Sequence, residues 1–173
     1  MIMTSRFRKA ALTVHVTVSV GWLGAVAAYL ALAVAALTTR DSEMAGSAYR
    51  AMEVIGLGII VPCSLAALLS GLVQSLGTEW GLFRYYWIVA KLSLTVVATA
   101  VLLMHVPAVS RMARIAVATT VSTGDFRLLR VQLVVHAVGG LLVLLTTTTL
   151  SVYKPWGRIG SARARAVGET SAR

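Results

Sequence analysis

Histidine and lysine are the side chains of this sequence that offer chemistry in an apolar setting. His15, Lys91, His105 and His136 each lie within a long apolar stretch of the chain. An ionisable side chain is costly in such surroundings and therefore marks a candidate functional site. Imidazole nitrogens bind metals and carry protons, so the three histidines come first in any search for a site.

Four apolar stretches must position these residues. The chain of 173 residues is 58% hydrophobic and 13% charged, whereas soluble domains are about a quarter charged. About 20 helical residues cross a hydrocarbon core of about 30 Å, and each segment must satisfy its own backbone polar groups. The sequence predicts an all-α fold, a four-helix transmembrane bundle in a lipid bilayer, with helices at about 10–38, 52–76, 86–109 and 130–153. We assign residues 1–156 to this single domain and residues 157–173 to a disordered basic cytoplasmic tail.

The distribution of Lys and Arg predicts the orientation, because short cytoplasmic segments collect them. An N-in/C-in arrangement places nine of the sixteen inside: Arg6, Arg8, Lys9, Arg84, Lys154, Arg158, Arg163, Arg165 and Arg173. The other side then holds six, namely Arg40, Arg50, Arg111, Arg114, Arg127 and Arg130, together with most of the acids, Glu53 among them. The expected location is the bacterial plasma membrane, as a multi-pass protein. A secretory signal peptide is the alternative for the first helix, but its apolar run is longer than the usual 7 to 15 residues.

Charge and cysteine content exclude several protein classes. The net charge of +10 does not indicate nucleic acid binding, because the basic residues flank apolar runs and form no basic stripe with interleaved aromatics. Cys63 is the single cysteine. It excludes an internal disulfide, a CxxC redox pair and a thiolate metal cluster built by this chain alone.

The depths of His105 and His136 match. Measured at 1.5 Å per residue from the helix midpoints, they lie about 11 Å and about 9 Å toward the outer face. Consecutive helices joined by short loops usually pack against each other, so the two rings are expected to face each other. Paired imidazoles are the axial ligands of a b-type haem, and Gly139 and Gly140 follow on the face of His136, where they leave room for a macrocycle.

Simpler roles exist for the same residues. A histidine near a helix end can hydrogen-bond a neighbouring helix, and paired glycines can serve close helix packing. His15 and Lys91 form a second polar level, about 14 Å and about 10 Å toward the cytoplasm. Trp22 shares the stripe of His15, seven residues on, while Lys91 can simply extend past aromatic residues to the boundary. Pro62 removes a backbone donor in the second helix and predicts a kink there.

Over residues 10–156 the chain resembles a group of actinobacterial four-helix integral membrane proteins, through the segment Trp80-Gly-Leu-Phe-Arg-Tyr-Tyr-Trp-Ile-Val-Ala-Lys-Leu92. That resemblance implies a fold but no activity. More distantly the chain is similar to HemJ-type protoporphyrinogen oxidases and CopD-like membrane domains, through His15 with Trp22 and Gly24, Lys91-Leu92 with His105, and Lys154-Pro155. The resemblance implies haem association and, for HemJ, porphyrinogen oxidation with His15 and Lys91 at the site. The Asn-Glu-x-x-Pro stretch of that family is replaced here by Leu128-Leu-Arg-Val-Gln132.

These observations lead to one functional hypothesis and three alternatives. The first is a haem b protein with His105 and His136 as iron ligands, which exchanges single electrons with a quinone or a membrane redox partner. The alternatives are HemJ-like porphyrinogen oxidation, copper handling, and a membrane scaffold without a cofactor. The methionines lie mostly near chain or helix ends, which does not favour a thioether path for copper.

Overall fold

A computed structural model describes residues 3–77, 82, 85–118 and 126–155. The described chain is helical and contains no strand. The predicted tail at residues 157–173 lies outside the described residues.

Four helical segments are long and apolar enough to cross a membrane, as predicted. We call them the first to fourth spans. The first is α1, Ser5–Thr38; the second consists of α2, Ser42–Ile55, a π-helical turn, Gly56–Ile60, and α3, Val61–Gly77; the third is α4, Tyr86–Ala118; the fourth is α5, Arg127–Tyr153.

The second span begins at Ser42 rather than near residue 52. Asp41 caps it, because its Oδ1 accepts hydrogen bonds from the backbone N–H groups of Glu43 at 2.9 Å and Met44 at 3.4 Å. Such a cap satisfies donors that have no partner within the helix. The polar stretch that we predicted as a loop is therefore helical, and Arg50 and Glu53 lie on α2.

α4 also extends beyond its predicted end near residue 109. It continues through Pro107, which lies inside the helix, to Ala118. A proline removes one backbone hydrogen bond and strains the preceding turn, but it does not have to end a helix. Arg111 and Arg114 are therefore helical residues and not loop residues.

The predicted distortion at Pro62 takes the form of a π-helical turn just before it. The N–H of Val61 donates to the carbonyl of Gly56, five residues earlier. Pro62 has no N–H and its ring crowds the carbonyl four residues before it, so one extra residue in the preceding turn relieves the conflict. Such turns rotate the helix before them relative to the helix after them.

The four spans form a square bundle. α1 packs against the second span and α5, and α4 packs against the same two neighbours. Among the described residues, α1 and α4 lie on one diagonal without contact. The core contains large side chains that are almost fully buried, including Trp22, Tyr29, Tyr49, Met52, Met112 and Leu133.

Candidate functional site

A cavity of about 330 Å³ lies between the spans. All four spans line it: α1, the π-helical turn with the end of α2, α4 and α5. Its wall is almost wholly apolar, and the exceptions include His105, His136, Tyr29, Glu53 and Ser110. An apolar cavity with a few convergent polar groups is the usual form of a small-molecule site.

The structure brings His105 of α4 and His136 of α5 together at this cavity. Their rings stack with 4.1 Å between centroids and 12° between planes. His136 is further fixed by its Nδ1, which lies 2.8 Å from the carbonyl oxygen of Gln132 one turn earlier. Since a carbonyl only accepts, Nδ1 of His136 carries the hydrogen and donates it, and Nε2 is the nitrogen with a free lone pair when the ring is neutral.

The stacked rings do not have the geometry of two axial ligands on one iron. A bond from metal to imidazole nitrogen is about 2.0 Å long and lies in the ring plane. One iron held from both sides would therefore have to lie in both ring planes. Two nearly parallel planes that stack face to face share no point close to the rings, so the rings as stacked do not hold one iron between them. Haem ligation by His105 and His136 stays a prediction.

Two buried polar atoms at the cavity have no hydrogen-bond partner. They are Nε2 of His105 and the hydroxyl of Tyr29, and their residues are only 8% and 6% exposed. A buried polar atom without a partner costs about 1–3 kcal/mol. Thr99 Oγ1 is a third such atom, but Thr99 does not line the cavity.

The two candidate glycines have different surroundings. A Cβ added at Gly139 would meet nothing within 4 Å, whereas one at Gly140 would lie 3.8 Å from a methyl group of Val26 on α1. Both glycines line the cavity. Gly139 therefore faces open space, and Gly140 faces α1 at ordinary van der Waals distance.

Sequence reasoning missed Tyr29 and Glu53. Tyr29 lies seven residues after Trp22, which itself follows His15 by seven, so one more step along the same helical stripe would have reached it. Trp22 and Tyr29 line the cavity together. Glu53, predicted as an outer flanking charge, also lines the cavity. It does so because α2 begins early and because the π-helical turn sets the rotation of α2 about its axis.

His15 and Lys91 lie elsewhere. Nδ1 of His15 is 2.9 Å from Oγ of Ser70 on α3, and Nζ of Lys91 donates to Oγ of Ser151 on α5 at 2.6 Å. Neither His15 nor Lys91 lines the cavity. The structure thus separates the seven predicted site residues into two places, with Trp22, His105, His136, Gly139 and Gly140 at the cavity.

Arg130 is not the flanking outer charge that we predicted. It is 5% exposed, and its Nε donates to the hydroxyl of Tyr49 at 2.7 Å while its Nη2 donates to the carbonyl of Ala36. Ala36 lies in the last turn of α1, where carbonyls have no partner within the helix. Arg130 therefore joins α5 to α1 and, across a diagonal of the bundle, to α2.

Comparisons with known proteins give no relative of this chain. No protein-family model matches it, and no curated protein and no solved structure matches it. Within the described part of the chain, no group of three or more His, Cys, Asp or Glu side chains is placed to hold a metal ion.

Proposed function

We propose that this protein is a membrane protein that binds a neutral lipophilic ring compound with hydrogen-bonding oxygens, the class to which membrane quinones belong. One observation carries the proposal: Tyr29 and His105 both line one apolar cavity, and each has a buried polar atom without a partner, Oη and Nε2 respectively. A ligand that enters this cavity gains apolar contact and supplies both missing partners.

The chemistry of these two atoms favours carbonyl or hydroxyl groups on the ligand. The Tyr29 hydroxyl can donate or accept, and Nε2 of His105 does either according to its tautomer. Carbonyl oxygens of a quinone accept from both when His105 carries its hydrogen on Nε2. Each hydrogen bond of this kind contributes about 1 kcal/mol net.

The remaining wall favours a neutral ligand. Apart from the polar groups named above, the lining is aliphatic or aromatic, as at Trp22, Val26 and Leu144. Glu53 is the carboxylate on the wall, and its negative charge would repel an anionic ligand. A ring with uncharged oxygens suits these surroundings better than a carboxylic acid.

Isothermal titration calorimetry of the detergent-purified protein with menadione tests the proposal. We expect Tyr29→Phe and His105→Leu each to weaken binding about tenfold, the effect of losing about 1.4 kcal/mol. Tyr86→Phe is the matched control, since Tyr86 is 53% exposed and does not line the cavity. Affinity unchanged in both cavity variants, or no heat of binding in the wild-type protein, would refute the proposal.

Binding of b-type haem, with single-electron exchange with a membrane partner, is the second candidate. The Nδ1 of His136 donates to a backbone carbonyl, which is how metal-bound histidines are usually oriented. For both rings to bind one iron they would have to leave the stack and separate to opposite sides of it. Ligation by His136 alone requires no such separation.

An absorption spectrum after expression with ample haem tests this candidate. Stoichiometric haem would give a Soret band that His136→Ala removes, whereas His15→Ala would leave it intact. If the wild-type protein is colourless and still binds menadione, the haem candidate is refuted and the quinone-class ligand is supported. Porphyrinogen oxidation and copper handling stay predictions of the sequence resemblance.

We further propose an N-in/C-in orientation in the bacterial plasma membrane. Support comes from the four apolar spans and from the excess of Lys and Arg on the side of both termini. In a Cys63→Ser background, Glu43→Cys should react in intact cells with a thiol reagent that does not cross membranes. Ser5→Cys should react only after the cells are opened. The reverse pattern would invert the orientation.

A further inference from the structure

A second polar cluster lies away from the cavity, and we call it the lysine cluster: Lys91, Ser151, His15 and Ser70. Each of the four spans contributes one member. Lys91 reaches Ser151 at 2.6 Å, and His15 reaches Ser70 at 2.9 Å. Lys91 and His15 are also close enough to interact electrostatically.

The hydrogens of this cluster can be assigned. The Ser151 hydroxyl donates to the carbonyl of Thr147 at 2.8 Å, and the Ser70 hydroxyl donates to that of Ala66 at 2.6 Å. Each serine oxygen is therefore the acceptor toward its basic partner, so Lys91 and Nδ1 of His15 are donors. Both basic groups are bound only to neutral oxygens in these contacts, and the Lys91 ammonium has two further hydrogens to donate.

No described carboxylate balances the charge of the cluster. Asp41 and Glu43 lie at the start of α2 and Glu53 lies at the cavity, whereas Ser151 lies in the last turn of α5 and Lys91 in the second turn of α4. A charged group away from water is costly unless it is paired. A lysine ammonium that is bound to a neutral serine oxygen within an apolar bundle leaves a place for an anion.

The chain packs closely around this place. A Cβ added at Gly71 would approach the His15 ring to 3.3 Å, which is a tight contact, so α1 and α3 lie close together there. The amide of Gln74 also donates to the backbone carbonyl of Ala11, at 3.4 Å. His15 is thus fixed in direction by Ser70 and by contact with α3, and it is not a freely moving surface side chain.

The geometry points to a phosphate-binding site at the lysine cluster, with Lys91 as the charged donor and His15 beside it. A lysine is a compact point charge that suits phosphate. The site lies near the beginning of α4, where the rings of Tyr85 and Trp87 approach to 6.4 Å between centroids, and aromatic rings of this kind collect at the level of lipid headgroups. A phospholipid headgroup and free inorganic phosphate present the same group.

Native mass spectrometry and thermal unfolding of the full-length detergent-purified protein test this inference. Three additions are compared: phosphatidylglycerol, phosphatidylcholine and inorganic phosphate. We expect wild-type protein to retain one phosphatidylglycerol and to unfold at a higher temperature with it. Lys91→Met should reduce this occupancy at least tenfold. Lys9→Met, which removes an exposed lysine of α1, should not change it.

The three additions distinguish a lipid site from a site for soluble phosphate. Stabilisation by phosphatidylglycerol that depends on Lys91 identifies a lipid site, and the same dependence with inorganic phosphate alone identifies a soluble ligand. Equal occupancy in wild-type protein and Lys91→Met, or no stabilisation of wild-type protein by any addition, overturns the inference. If Lys91→Met fails to fold, Ser151→Ala and Lys91→Arg replace it: the former is expected to weaken binding and the latter to retain it. Menadione binding at the cavity serves as the check that each variant is intact.

Discussion

His105 on α4 and His136 on α5 stack face to face, 4.1 Å apart between ring centroids. A hydrogen bond from His136 to the carbonyl of Gln132 on its own helix orients one ring of the pair. Both rings lie on the wall of an apolar cavity. Because the rings touch, their contributions to stability must be coupled. The arrangement makes the two histidines one unit of the structure, whichever ligand the cavity takes.

A double-mutant cycle measures this coupling. His105→Ala and His136→Ala should couple by about 0.5–1.5 kcal/mol in the free energy of unfolding, the range for stacked aromatic pairs. Chemical unfolding in detergent micelles, followed by circular dichroism, provides the measurement. The pair His105→Ala with His15→Ala is the control and should be additive, since His15 lies in the lysine cluster. Additivity in the first pair would contradict the stacked geometry.

Two buried tyrosines should respond in opposite directions to loss of their hydroxyl. Tyr29 is 6% exposed and its hydroxyl has no partner, whereas the hydroxyl of Tyr49, 1% exposed, accepts from Arg130. We expect Tyr29→Phe to stabilise the ligand-free protein by about 1 kcal/mol, because it removes an unsatisfied buried group. Tyr49→Phe should destabilise it by about 1–3 kcal/mol, because it leaves a buried guanidinium N–H without a partner.

Thermal unfolding of both variants in the same detergent tests this contrast. Equal shifts of the unfolding temperature for the two variants would contradict it. Arg130→Met supplies a second check. Loss of the guanidinium should destabilise the protein at least as strongly as Tyr49→Phe does. Arg127→Met, at an exposed position one turn earlier, should have little effect.

The two adjacent glycines of α5 should separate ligand binding from stability. Gly139→Ala fits open space and should be neutral or stabilise by up to about 1 kcal/mol, as expected for glycine in a helix. Gly139→Leu should fill part of the cavity and abolish menadione binding without loss of fold. Gly140→Leu should instead force α1 from α5 at Val26 and destabilise by about 1–3 kcal/mol. Calorimetry and thermal unfolding on the same samples distinguish the outcomes, and menadione binding by Gly139→Leu at wild-type affinity would exclude this cavity as the site.

The sequence was sufficient to predict four long apolar helices and the matching level of His105 and His136 along the bundle. Helical rise is constant at 1.5 Å per residue, so the position of each histidine along its apolar run sets its level. Ring orientation was not predictable in the same way, because side-chain torsions respond to packing by all four spans. Two rings at one height can flank a metal or touch each other, and only the packing decides between these.

Arg130 and Glu53 show a second limit of prediction. Both lie near the ends of apolar runs and were interpreted as flanking charges, which is the usual place for them. Arg130 is buried because α2 begins at Ser42 and so carries Tyr49 within its reach. Glu53 meets the cavity because the π-helical turn rotates α2. Neither effect is visible in hydrophobic periodicity, since both depend on where one helix begins and how one turn is wound.

The π-helical turn at Gly56–Ile60 should therefore control both the core and the cavity. Deletion of Gly58 would allow a continuous α-helix and turn α2 by about 100° relative to α3. Tyr49 and Met52, 1% and 0% exposed, would leave the core, and Arg130 would lose its hydrogen bond to Tyr49. We expect destabilisation by more than about 4 kcal/mol, the size seen when several core contacts fail together. Gly58→Ala keeps the residue count and meets open space, so it should fold normally. A deletion variant that unfolds at the wild-type temperature and still binds menadione would show that the turn does not set the rotation of α2.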